Sequence, residues 1–198
     1  MMIDKTDKSG AFMKSYSEIK KLFLKANQLF LSEEKALLNS NVSERCLCAS
    51  LMCYIDRLMR QDDSYKGYHV DVEYNRNGGR KKTVKKTVMW PESKPISVTC
   101  DLIIHSRGAI PAQDNLLALE MKKSSANPSD KESDKDRLMA LTKDSFDDVW
   151  SFDGKTLPEH VCRYVIGIFY EINYRRRTIS LEYFKGGEIL DETELIRF

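Results

Sequence analysis

The stretch SVTCDLIIHSRGAIPAQDNLLALEMKK, residues 97–123, limits the folds open to this chain more than any other part of it. It holds two short apolar runs, parted by a turn signal at Gly108 and Pro111. Runs of this length bounded by turn residues read as buried strands, here 96–105 and 115–123. Yet each carries charge: Asp101 in the first, Glu120 and Lys122 in the second. Strand side chains alternate between faces, so Glu120 and Lys122 project from the same side, roughly 7 Å apart along the strand. By the same parity Asp101 shares a face with Ile103 and His105. If the two strands pair as neighbours, Asp101 comes close to Glu120.

The rest of the chain supplies the surroundings. Ile19, Leu22, Phe23, Leu29, Phe30, Leu37 and Leu38 recur at helical spacing and predict a helix over 14–39. The NSN that follows offers a break and a cap. A second helix is predicted over 42–60, with Leu47, Leu51, Tyr54, Ile55 and Leu58 on one stripe. Glu44 lies three residues before Leu47 and so on that stripe, where a first-turn acid also suits the helix dipole. YHVDVEYNR, 68–76, alternates as a strand, NGG supplies a turn, and KKTVKKTVMW returns as a second strand. SSANPSDKES reads as a loop, DKDRLMALT (134–142) as a helix and 143–160 as irregular. VCRYVIGIFYEI (161–172) and RTISLEYF (177–184) complete the sheet. This order predicts the α/β class: one globular unit with a mixed β-sheet flanked by helices.

Composition sets the outer bounds. With 198 residues, 41% hydrophobic and 31% charged, the chain can build one domain with a substantial core. No apolar run approaches the ~20 residues of a membrane helix. MMIDKTDKSGAF lacks the apolar centre of a signal peptide. A cytoplasmic location without a membrane partner is expected. The five cysteines (Cys46, Cys48, Cys53, Cys100, Cys162) follow no framework spacing and no zinc spacing, and read as reduced, mostly buried side chains. Net charge is only +2, but RNGGRKKTVKK, 76–86, carries Arg76, Arg80, Lys81, Lys82, Lys85 and Lys86 without an acid. YRRR, 174–177, is a second basic cluster. Such clusters mark either a polyanion face or solvated turns.

Two carboxylates side by side raise each other's pKa and are tolerated when a cation lies between them. Oxygen donors select a hard ion such as Mg²⁺, which uses one or two carboxylates and keeps several waters. A lysine beside such a site orients or deprotonates a bound water and offsets charge on a phosphate. These parts suit attack of water on a phosphodiester. The rival reading is a buried acid–lysine ion pair, which costs several kcal/mol of desolvation before any gain.

Asp101, an interval of eighteen residues, then EMK resembles the signature of the PD-(D/E)XK, or restriction-endonuclease-like, nuclease superfamily. CDLIIHSRG, NLLALEMKK and DKDRLMALT together resemble a group of small bacterial proteins with a fuller pattern of the same kind, over roughly residues 41–184. The likeness rests on the combination: an aspartate on a strand, a turn glycine, a second strand with acid–x–lysine, a following helix, and a glutamate on the helix before them. The motif's proline position is Cys100 here, a residue that shapes the strand and carries no chemistry.

The resemblance implies a restriction-endonuclease-like core over 41–198, with an N-terminal helical extension over 1–40 packed on it. It implies a Mg²⁺-dependent endonuclease, with Mn²⁺ able to substitute, acting on DNA rather than RNA and working as a homodimer. Asp101 and Glu120 would ligate the metal, the Met121 carbonyl would add a backbone ligand, Lys122 would position or activate the water, and Glu44 would face the metal. Arg107 would hold a phosphate through its planar fork. Arg80, Lys81, Lys82, Lys85 and Lys86 would form a basic flap making sequence-independent, salt-sensitive backbone contacts. The alternatives are a non-catalytic nucleic-acid-binding or assembly subunit of the same fold, and a small-molecule phosphoesterase, for which no phosphate-cradling glycine loop is present. Asp134, Asp136 and Arg137 read as the capped start of a helix. Asp71 and Glu73 share one face of the first strand and read as extra ligands or, in preference, as a solvated strand edge, and Lys123 as facing away from the site.

Overall fold

A computed structural model describes residues 13–74, 99–144 and 162–198, and between them the backbone of four short strand segments. Ser15 starts the first helix, α1 (Tyr16–Glu33), through a capping box in which Ser15 and Glu18 satisfy each other's backbone N–H groups. Ile19, Phe23, Ala26 and Phe30 bury one side of it. The single helix expected over 14–39 is broken at Glu34 (φ −97°, ψ 34°) and resumes as α2 (Lys35–Asn39). The apolar spacing runs on through Leu38 and so concealed the break. Ser43 caps α3 (Glu44–Met59), accepting the Cys46 N–H at 3.3 Å, and the predicted stripe from Leu47 to Leu58 is buried.

The strands begin with β1 (His69–Val72). After it, β2 (Arg76–Asn77) pairs with β3 (Arg80–Lys81), and β4 (Thr83–Lys85) pairs with β5 (Pro95–Ser97). The side chains of the expected flap residues Arg80, Lys81, Lys82, Lys85 and Lys86 lie outside the described residues. Next come β6 (Leu102–His105), β7 (Asn115–Lys123), α4 (Pro128–Thr142), β8 (Ile166–Asn173), β9 (Thr178–Lys185) and β10 (Glu188–Arg197).

Six of these strands form one mixed sheet in the order β1-β6-β7-β8-β9-β10. Only β7 and β8 run parallel, as the α4 crossover between them requires. On one face Leu102, Ile104, Leu117, Leu119, Met121, Ile168 and Tyr170 pack with α1 and α3. On the other, Ile103, Ala118, Phe169 and Phe184 pack with Leu138 and Leu141 of α4. Both faces of β7 are covered, which explains its nearly unbroken apolar sequence. The N-terminal helix shares this core: Tyr170 donates to Asn27 Oδ1 at 3.0 Å, and Lys20 pairs with Glu192 and Glu194 of β10.

Three expectations change. The strand expected over 96–105 is two, β5 and β6, and Asp101 precedes the second. The helix after the motif starts at Pro128 rather than 134, because its first turn is solvent-facing and polar and looked like loop. The strand β10 was not expected. Gly186 (φ +62°) and Gly187 (φ +86°) make its turn, but a register shift between Ile189 and Thr193 disrupts its alternation. No helix among the described residues is long and apolar enough to cross a membrane.

Candidate functional site

The antiparallel register of β6 and β7 matches Leu102 with Leu119, so the next step sets Asp101 across from Glu120. Asp101 Oδ2 accepts the Met121 N–H at 2.7 Å, and its carboxyl lies near enough to that of Glu120 for its charge to raise the Glu120 pKa. Glu120 is 1% exposed, and its Oε1 lies 2.6 Å from Arg137 Nη1. The same nitrogen reaches Asp134 Oδ1 at 3.0 Å. Asp134 Oδ2 stands 2.8 Å from Lys122 Nζ, an ion-pair contact without a well-directed hydrogen bond. Lys122 Nζ is also 4.0 Å from Glu44 Oε2 and 3.5 Å from the Met121 carbonyl oxygen. Glu44 Oε1 accepts the Lys123 N–H at 2.7 Å, so the first residue of α3 grips the end of β7.

Asp101, Glu120, Lys122, Glu44 and the Met121 carbonyl are therefore brought together where β7 ends. Asp134 and Arg137 close the cluster from α4. Four carboxyls face two cations, and full ionisation would leave a surplus of two negative charges in a poorly solvated place. The pKa directions follow. Burial, above all, pushes the Glu120 carboxyl up to about 8; Arg137 opposes this, while Asp101 and Asp134 add to it. Burial also lifts Asp101, against the Met121 N–H and Lys122. Burial disfavours the Lys122 ammonium, but Asp134, Asp101 and Glu44 outweigh it and raise its pKa. The group stays cationic.

Hard oxygen donors from two carboxylates and a backbone carbonyl suit Mg²⁺ in type and number. Among the described residues no three His, Cys, Asp or Glu side chains are grouped so as to hold a metal ion as they stand. Arg137 lies against the Glu120 oxygen that a metal would use.

The other expected residues are placed elsewhere. The Arg107 fork is committed to Asp71, with Nε 2.8 Å from Oδ2 and Nη2 2.5 Å from Oδ1, rather than directed at a phosphate. His105 Nε2 is 2.8 Å from the same carboxylate. Asp71 is thus the centre of an ion-pair cluster between β1 and β6, not a solvated edge. Glu73 pairs with Arg45 at 3.0 Å. Lys123 turns away, donating to the Asn41 carbonyl at 3.2 Å. Arg175 and Arg176 are exposed on the turn after β8, whereas Arg177 is tied to Asn39 and the Phe198 carbonyl.

Asp134 and Arg137 escaped the sequence reading, which took them for first-turn caps. A signal was present: Asp134, Leu138 and Leu141 follow helical spacing and share one buried face. Neither a protein-family model, nor a curated protein, nor a solved structure matches the chain.

Proposed function

We propose that this chain is a metal-dependent nuclease with a restriction-endonuclease-like core, hydrolysing phosphodiester bonds in DNA with Mg²⁺ or Mn²⁺. The observation that carries the reading is the meeting of the Asp101 and Glu120 carboxyls, with Lys122 and the Met121 carbonyl beside them. A cluster built for stability alone gains little from burying so much charge, since well-packed apolar residues do as well or better. The sheet supports the fold side: β6 and β7 are antiparallel neighbours, and α4 links β7 to the parallel β8.

In this reading Asp101, Glu120 and the Met121 carbonyl hold the metal, which when bound supplies an acidified water and neutralises charge developing on the phosphate. Lys122 is kept cationic by Asp134 and Glu44. As a cation it would position the attacking water or offset charge on the phosphate by donating hydrogen bonds. Glu44 fixes the end of β7 and so the reach of Lys122. Arg175 and Arg176 stand at the same end of the sheet as Lys122, because β7 and β8 run parallel, and would meet the nucleic-acid backbone there. Cutting both strands would take two copies of the site, as in a homodimer.

One contact favours a second reading, a non-catalytic nucleic-acid-binding or assembly subunit: the 2.6 Å pair between Arg137 and Glu120. Cleavage assays separate the two. Plasmid, duplex, single-stranded DNA and RNA are incubated with Mg²⁺, Mn²⁺ or EDTA, using the wild type, Glu120→Gln and Lys122→Met. The glutamine isostere keeps an acceptor for Arg137, where alanine would leave the half-buried guanidinium with Asp134 only. Metal-dependent DNA cleavage is expected, falling by about 10²-fold or more in each variant without a change in circular dichroism. Cleavage that survives EDTA, or full activity in both variants, refutes the nuclease reading. DNA binding without cleavage under any condition supports the second.

A further inference from the structure

The acidic pair holds a cation of its own. Arg137 reaches the buried Glu120 from the third turn of α4 and is itself half-buried. Its geometry is unlike that of an optimised structural pair. A guanidinium best meets a carboxylate through two parallel bonds. Here a single nitrogen, Nη1, serves both Glu120 and Asp134, and Nε is buried with no hydrogen-bond partner among the described residues. The guanidinium is held in the site but only partly used by it.

We propose that Arg137 is the resident counter-cation of the carboxylate pair, holding Glu120 while no divalent ion is bound and yielding that carboxylate when one binds. The proposal rests on the metal-dependent reading above and adds a residue to it. Two features of the cluster make the exchange possible. Glu120 Oε1 is taken by Arg137 and Asp101 Oδ2 by the Met121 N–H, so a divalent ion that uses Glu120 Oε1 must displace the guanidinium. Repulsion between the guanidinium and a dication drives the exchange in one direction. The released group also has somewhere to go. Asp134 lies on the same helix, one turn earlier, already 3.0 Å from the nitrogen that leaves Glu120. Its other oxygen faces Lys122, so Asp134 can hold both cations beside the bound metal. Arg137 then acts as a positioning residue: it keeps the acids folded together before metal arrives and weakens metal affinity in return.

Calorimetric titration of Mn²⁺ into the wild type, Arg137→Met and Arg137→Lys, with melting temperatures in EDTA and in Mn²⁺, tests this without any cleavage step. Arg137→Met is expected to bind Mn²⁺ at least tenfold more tightly than the wild type. It should melt lower in EDTA and recover most of the loss in Mn²⁺, with Arg137→Lys between the two. Equal affinity in wild type and Arg137→Met overturns the proposal and leaves the nuclease reading standing. So does weaker binding by the variant. If no protein binds Mn²⁺, the metal reading fails and this one with it. Should Arg137→Met not fold, the wild type still decides: the Nε–H resonance of Arg137 must shift saturably on titration with Mg²⁺, and an unmoved resonance overturns the exchange.

Discussion

Gly167 of β8 lies directly under α4, and an alanine there measures how firmly that helix is seated. A Cβ built on Gly167 would stand 2.9 Å from Phe184 Cβ, 3.0 Å from Thr142 Cγ2 and 3.5 Å from Leu138 Cβ. Carbon atoms in ordinary contact sit about 3.5–4.0 Å apart, so two of these approaches overlap by about half an ångström or more. Phe184 is the cross-strand partner of Gly167 in β9, and its Cβ cannot retreat without bending the sheet. Thr142 ends α4, so relief comes from lifting the C-terminal part of that helix. Overpacking of this kind costs about 1–3 kcal/mol. Replacing a strand glycine by alanine returns ~0.5–1 kcal/mol of chain entropy. Gly167→Ala should therefore lose up to ~2.5 kcal/mol, centred on ~1 kcal/mol. In a chain of this length each kcal/mol moves the midpoint by ~2–4 °C, giving a fall of ~2–4 °C at that centre by calorimetry. The lifted helix carries Arg137 and Asp134, so the variant should also bind Mn²⁺ more tightly than the wild type. A midpoint equal to or above the wild type would refute the reasoning, since α4 would then have slack and could not fix Arg137 against Glu120.

Asp71 gives a prediction in pH. Burial raises its pKa, but the hydrogen bonds from His105 and Arg107 and their charges outweigh it and hold the carboxyl well below the ordinary value of 3.8. Below that value the unfolded chain binds a proton that the native one refuses, so the stabilisation is complete above pH ~4 and lost as pH falls further. The gap in melting temperature between wild type and Asp71→Asn should be constant near neutrality and shrink below about pH 4; a gap that persists into acid would contradict the assignment. Tyr170→Phe removes the hydroxyl that donates to the buried Asn27 Oδ1. It should cost about 1–3 kcal/mol in urea unfolding, and an unchanged midpoint would show that Asn27 has another donor.

What the sequence disclosed follows from how local the controlling rule is. Strand parity is a two-residue rule, so Glu120 and Lys122 could be put on one face without knowing the fold, whereas bringing Asp101 beside them took the further step of pairing the two strands. The expected spacing of α3 was equally local, fixed by Ser43 and the stripe from Leu47 to Leu58. Asp71 was seen on its strand, but its partners His105 and Arg107 arrive only when β1 pairs with β6 across more than thirty intervening residues. Arg137 was hidden for a similar reason. The polar first turn of α4 masks where the helix starts, and only the crossover onto β7, β8 and β9 turns Asp134 and Arg137 toward Glu120.

The residue that was hardest to see also links the two functional readings. A buried Glu120 touching Asp101 demands positive charge whatever the protein does, and a shared proton, a guanidinium or a divalent ion meets the same demand. A site that folds before its metal arrives needs one of the first two, and this chain has Arg137 on Glu120 Oε1. The ion pair that favours the non-catalytic reading is thus also what a metal site of this design would need in its empty state, so it does not exclude the nuclease reading. The ease of its exchange bears on metal binding alone: a guanidinium that Mn²⁺ displaces marks a cluster able to take a divalent ion, and metal-dependent cleavage is what separates the nuclease from the binding subunit.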